Sequence, residues 1–119
     1  MNNKELALKA ASILTNKKAT DVVVIDITEK SSFADYLVIA SGNSERQISA
    51  LSEEVIEQLA KENILPKNVE GKSNSGWILM DYADVIINVF SIEQRNHYNI
   101  EKIWSDCNFL DLEDEDVEG

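Results

Sequence analysis

The sequence predicts a single α/β domain, a small mixed sheet with flanking helices in the order α-β-β-α-β-β-α, and three observations predict it. Two segments carry apolar residues at helical spacing behind a capping residue, one opening at Asn2 and one at Ser44. Two β-branched or apolar runs, residues 22–27 and 36–40, lie between those helices. Residues 77–90 form two further apolar runs around Asp81-Tyr82-Ala83-Asp84, the pattern of a hairpin. A chain of 119 residues, 44% hydrophobic and 28% charged, can bury a core without disulfides or metals.

Taken in order, Asn2 and Glu5 have the spacing of a capping box, and Leu6, Ala10, Ile13 and Leu14 repeat along one helix face. Lys17-Lys18 suits the C-terminal end, where cations meet the helix dipole. Val22-Val23-Val24-Ile25-Asp26-Ile27 reads as a buried strand, and Tyr36 to Ala40 as a second, broken by Ser41-Gly42-Asn43. Ser44 with Gln47 is a second capping box, opening a helix to about residue 63. Its stripe is Ile48, Leu51, Val55 and Leu59, widened by Ile56 and Ala60, and Glu53, Glu54, Glu57 and Lys61 fill the remainder. Pro66, Gly71 and Gly76 mark residues 64–76 as a loop. After the hairpin a last helix is expected over about residues 93–104. The domain is expected to span residues 1–106. Residues 107–119 form an acidic tail expected to fray, with Phe109, Leu110 and Leu112 able to pack locally.

The hairpin carries the most information. With Tyr82-Ala83 at the tip and Asp81 opposite Asp84, side-chain alternation puts Ile78, Met80, Val85, Ile87 and Val89 on one face. The other face carries Trp77, Leu79, Asp81, Asp84, Ile86, Asn88 and Phe90. The first set is pure core. The second mixes apolar surface with two carboxylates and an amide, and reads as a docking surface. With few helices to cover the sheet, part of that face is expected to stay open.

Net charge is −11, and seven of the 22 acidic residues fall in the last fourteen positions, which contain no Lys or Arg. Such a surface repels phosphate backbones and anionic membranes, and no basic stripe is present to release counterions. A basic protein partner fits the charge; the plainer reading is solubility alone. Cys107 is the only cysteine, so neither an internal disulfide nor a thiolate metal cluster can form. The opening Met1-Asn2-Asn3-Lys4-Glu5 lacks the apolar core of a signal peptide, and no apolar run could span a bilayer. A cytoplasmic protein is expected.

Asp81 and Asp84 are the one pair of carboxylates that suggests general acid/base or metal chemistry, although charges flanking a hairpin tip are common. His97 is the only histidine, which excludes a multi-histidine zinc site, and nothing around Cys107 or His97 supports a nucleophilic pair. Ser41-Gly42-Asn43-Ser44 could present backbone N–H groups to an anion, yet it lacks the longer glycine pattern of a phosphate loop and reads as a strand-to-helix turn. No cofactor is expected. Trp77, at the start of a strand beside carboxylates, fits an interface anchor as well as a core position; Trp104 fits core.

With these motifs in order, the chain resembles the ribosomal silencing factor family, also called Iojap-related proteins. The resemblance is carried by Ser32-Phe33-Ala34-Asp35-Tyr36-Leu37-Val38-Ile39-Ala40-Ser41-Gly42-Asn43-Ser44, by Val69-Glu70-Gly71, and by Trp77-Ile78-Leu79-Met80-Asp81-Tyr82-Ala83-Asp84-Val85-Ile86-Ile87. It continues through Glu93-Gln94-Arg95-Asn96-His97-Tyr98-Asn99-Ile100-Glu101-Lys102-Ile103-Trp104-Ser105-Asp106, with the acidic end outside the shared pattern. It implies a nucleotidyltransferase-like fold and a translational repressor that binds the large ribosomal subunit through its interface protein number fourteen. The bound factor blocks joining of the small subunit and lowers translation when nutrients are scarce. Homodimers through an overlapping surface are also implied. On this reading Glu70, Trp77, Leu79, Asp81, Tyr82, Asp84 and Asn88 are the partner-binding residues, and the protein is not an enzyme.

The chain departs from the family pattern in having Asn88 where histidine is usual, Ser105 where glycine is frequent and Cys107 where alanine is frequent. Asn88 offers a donor and an acceptor but no titratable charge. Active nucleotidyltransferases pair a Gly-Ser turn with two acids one residue apart on the next strand, and no such spacing occurs between Ser44 and Trp104. Two alternatives remain: a metal-dependent nucleotidyltransferase-like enzyme using Asp81 and Asp84, and a homodimeric adaptor unrelated to ribosomes.

Overall fold

Both N-terminal caps shape the helices that follow them. In the computed structural model, which describes residues 1–112, helix α1 spans Asn3–Asn16. The Asn2 side chain accepts from the Glu5 N–H at 2.8 Å while the Glu5 carboxylate accepts from the Asn2 N–H at 3.0 Å, so the expected box is closed. Strands β1 (Thr20–Asp26) and β2 (Tyr36–Gly42) follow, then helix α2, Glu45–Ala60. Ser44 caps α2 by accepting from the Gln47 N–H at 3.0 Å. The Gln47 side chain instead accepts from Asn43, one residue before the cap, at 2.7 Å. The helix ends three residues before the expected position, and Glu62, Asn63 and Ile64 turn back onto carbonyls of its last turn.

Strand β3 (Asn68–Lys72) occupies part of the expected loop and pairs antiparallel with β4 (Trp77–Asp81). Gly71 sits at a φ of +88°, and a Cβ there would come within 2.1 Å of the Trp77 carbonyl oxygen, so only glycine allows this pairing. β4 pairs antiparallel with β5 (Val85–Ser91), and β5 runs parallel to β2. The expected last helix is two helices, α3 (Ile92–Tyr98) and α4 (Ile100–Ile103), because Asn99 adopts a left-handed conformation with φ of 47°. A two-residue strand, β6 (Asn108–Phe109), pairs with β1, and the Leu110 N–H donates to the Val24 carbonyl. Residues 108–110 of the expected tail thus pack locally against β1, and residues 113–119 lie outside the described residues.

The six strands form one mixed sheet in the order β3-β4-β5-β2-β1-β6. Helices α1 and α2 cover one face, where Leu14, Leu51, Val55, Leu59, Val24, Val38, Met80, Ile87 and Val89 are all fully buried. On the opposite face Ile25, Leu37, Ile39 and Phe90 form a second core, closed over by Ile100, Trp104 and Cys107. That covering stops short of β3 and β4.

The hairpin register corrects the expectation at its tip. Asp81 lies opposite Ile86, not Asp84, and the Tyr82 N–H donates to the Val85 carbonyl at 2.9 Å. Ala83 and Asp84 are the turn, with Ala83 at a φ of 74°. A change of two in the pairing preserves which residues share a face. The paired residues of β4 and β5 therefore keep their expected faces, while Tyr82 joins the core side and Asp84 leaves the mixed face for the turn.

Candidate functional site

The open half of the second face is built by three strands. Gly76, with a φ of 79°, turns the chain from a short 3-10 turn (Ser73–Ser75) into β4, and its carbonyl accepts from the Ser91 N–H. Trp77 therefore starts β4 beside the end of β5, where it pairs with Phe90. The indole stacks on the fully buried Phe90 ring at 5.5 Å with an interplanar angle of 17°, and Tyr98 of α3 leans on it at 5.4 Å. Its Nε1–H donates to Asn88 Oδ1 at 2.9 Å. Trp77 still exposes 36% of its surface and Tyr98 48%.

Below this aromatic corner lie Leu79 and Ile86, both half-buried. Leu79 sits between Asn88 of β5 and the exposed Glu70 of β3, and Asp81 between Ile86 and Asn68. Glu70 accepts from the Asn68 amide at 2.6 Å. Asp81 accepts from the Ala83 N–H at 2.8 Å, which holds its carboxylate at the turn. The result is an apolar strip, Trp77–Leu79–Ile86, with carboxylates along its outer side.

Three of the expected site residues do not belong to that exposed strip. Tyr82 is 6% exposed and packs into the core under α1 and α2; its hydroxyl has no hydrogen-bond partner among the described residues, and burial pushes its pKa up to about 12. Asp84 is turned the other way, accepting from the Asn3 amide at 3.3 Å, and the same amide donates to Asp35 at 3.0 Å. Its carbonyl is held by the Asp35 and Tyr36 N–H groups. Asp81 and Asp84 consequently do not face each other, and the paired-carboxylate arrangement is not formed. Asn88, at 3% exposure, lies beneath the strip rather than on it.

The other chemical candidates are held in structural roles. Among the described residues no cluster of three or more His, Cys, Asp or Glu could hold a metal ion. His97 packs edge-on against Tyr98. Desolvation, then the Asp106 carboxylate, raises the Cys107 thiol above its ordinary pKa, the opposite of what a nucleophile needs. An open cleft of about 390 Å³ lies where the Ser44 and Ser91 turns meet. Three of its hydroxyls are already engaged: Ser44 and Ser91 accept from Gln47 and Gln94 N–H groups, and Ser75 donates to the Lys72 carbonyl. No helix is long and apolar enough to cross a membrane among the described residues.

The sequence did not single out the clamp that fixes α3 and α4. Arg95, 8% exposed, donates from Nε and Nη2 to the two Glu101 oxygens at 3.0 Å each. Its Nη1 donates to Ser41 Oγ at 3.0 Å and to the Thr20 carbonyl at 3.3 Å. A spacing of six would not bring these two side chains together on one unbroken helix; the left-handed Asn99 does.

A family model described as "ribosomal silencing factor during starvation" matches residues 1–119. The chain belongs to the ribosomal silencing factor family. The match includes the acidic C-terminal residues, beyond the expected extent of the shared pattern. The ribosomal silencing factor of Bacillus subtilis is 36% identical over 113 residues, covering 95% of this chain and 96% of that protein. A mouse relative, "mitochondrial assembly of ribosomal large subunit protein 1", is 29% identical, with 84% of this chain matched to 45% of its own length. A crystal structure of a Chromobacterium violaceum protein superposes with a TM-score of 0.84 at 28% identity, covering 88% of each chain. Ribosomal silencing factors are thus regulators by name, and the α/β fold with its mixed sheet is shared with them.

Proposed function

We propose that this chain binds the large ribosomal subunit through the open half of its sheet and thereby blocks joining of the small subunit. The carrying observation is the apolar strip Trp77–Leu79–Ile86, which stays partly exposed, with Tyr98 of α3 leaning only on its Trp77 end, and is bordered by Glu70 and Asp81. An aromatic anchor within an acidic rim complements a basic protein surface, with apolar contact supplying affinity and charge supplying register. Interface protein number fourteen of the large subunit is the partner that the family resemblance implies. The mouse relative's name, which refers to large-subunit assembly, supports the choice of subunit. The site is then Trp77, Leu79, Glu70 and Asp81, with Asn88 beneath them. Inhibition on this reading is steric, requires no nucleotide, operates in the cytoplasm and lowers translation under nutrient limitation. A homodimer through the same strip would compete with ribosome binding.

Order of addition tests it. Protein given to free subunits should slow their joining, and the same amount given to joined ribosomes should have little effect, because the site is then covered. Efficient splitting of intact ribosomes, or a requirement for a nucleoside triphosphate, would contradict the steric reading. Failure to co-sediment with large subunits would favour the adaptor instead.

A further inference from the structure

Asn88 is an unusual residue for its position. It lies mid-strand in β5, 3% exposed, between the core residues Ile87 and Val89 and on the same face as Trp77 and Phe90. A buried amide in such a place is costly unless its polar atoms are engaged. Its oxygen accepts the indole Nε1–H at 2.9 Å. The rings around Trp77 do not make this bond redundant. Stacking on Phe90 fixes the plane of the indole, and Tyr98 limits its tilt, but both tolerate an indole turned over within that plane. Only a directional acceptor decides which edge faces inward. We infer that Asn88 is a positioning residue of the docking face, which orients the Trp77 indole for the partner without touching the partner itself.

Two consequences follow, and both rest on the docking reading above. The indole N–H is already engaged, so the partner meets the carbon edge and face of the ring. The complementary group is apolar or cationic rather than a hydrogen-bond acceptor. Asn88 also lowers the cost of binding by removing alternative indole rotamers beforehand.

Three substitutions and one spectroscopic readout test this. Asn88→Leu keeps the branching at Cγ, with a larger side chain, and removes the acceptor; Asn88→Asp keeps the shape and the acceptor. Asn88→Ser leaves a polar group in the strand that falls short of the indole, which guards against misfolding of the leucine variant. In the unbound protein, hydrogen exchange of the Trp77 indole N–H, followed by NMR, should be slow in the wild type and Asn88→Asp and fast in Asn88→Leu and Asn88→Ser. In co-sedimentation with purified large subunits, Asn88→Leu and Asn88→Ser should each weaken binding about three- to tenfold, and Asn88→Asp by less than about twofold. In a Trp77→Ala background none of the three should weaken it further. An equal loss in both backgrounds would mean that Asn88 contacts the partner directly, overturning the inference. Rapid exchange of the wild-type indole N–H would overturn the lock itself. Unchanged binding by Trp77→Ala would instead sink the docking reading on which the inference rests, a different and separately visible failure.

Discussion

The two faces of the sheet are finished in different ways. Under α1 and α2 the central strands are sealed, and the residues that seal them repeat with the periods of a helix and a strand. The opposite face is sealed over β2, β1 and the Phe90 end of β5, by two short helices that a single buried arginine ties down, and it is left open over β3, β4 and Ile86 of β5. The first face follows from local pattern and has no surface to spare. The second depends on a non-local clamp and leaves an apolar strip in reach of a partner. Stability and binding should therefore separate when the two faces are mutated.

The largest effect is expected in the sealed face. Ile87 is fully buried, so Ile87→Ala removes apolar contact and leaves a cavity, at a cost of about 2–5 kcal/mol in denaturant unfolding. Binding by the fraction still folded should be unchanged. Arg95→Met breaks the clamp and leaves Glu101 without its bidentate partner, at a cost of about 3 kcal/mol by the same measurement. Unlike Ile87→Ala, it should also weaken ribosome binding, because Tyr98 loses its fixed place beside Trp77. A clamp variant with reduced stability and wild-type affinity would show that α3 does not support the docking corner.

Tyr82 gives a smaller effect of the opposite sign. Its hydroxyl is buried without a partner among the described residues, so Tyr82→Phe should be neutral or stabilise by up to about 1 kcal/mol. The pH dependence follows from the raised pKa. Unfolded tyrosine ionises near 10 while the folded residue stays protonated to about 12, so the unfolded state binds fewer protons in that window. Wild-type stability falls as pH rises from 10 to 12, and the advantage of Tyr82→Phe should widen there. The smallest effect belongs to the acidic end. Removing residues 113–119 takes away five of the acidic side chains and should slow association with a basic partner mainly at low salt. At physiological salt the affinity should change by less than about threefold.

What could be read from the sequence was what its own neighbourhood determines. Asn2 and Glu5 cap a helix from three residues apart, and alternation assigns Ile78, Met80 and Ile87 to the core whichever even register the hairpin adopts. The tip was displaced because Ala83 takes a positive φ, which alanine does not signal. Strand β3 has the sequence pattern of a loop because Asn68-Val69-Glu70-Gly71-Lys72 is polar and wholly exposed, and exists as a strand only through β4. Strand β6 is too short for any periodicity. Asn99 is a legible break in the last helix, since asparagine tolerates the left-handed region, and that break is what brings Arg95 and Glu101 together. The mixed face of the candidate site was legible as a pattern. The divergence of Asp81 and Asp84 was not, because Asn3 draws Asp84 away from a distance of 81 residues along the chain.

The most direct test of the separation between faces is the affinity of Trp77→Ala for purified large subunits, measured by co-sedimentation beside its melting curve. A loss of about 2 kcal/mol in binding, roughly thirtyfold, with a melting temperature close to that of the wild type is the predicted result. Wild-type affinity together with a large drop in melting temperature would contradict the account, since Trp77 would then belong to the sealed part of the molecule.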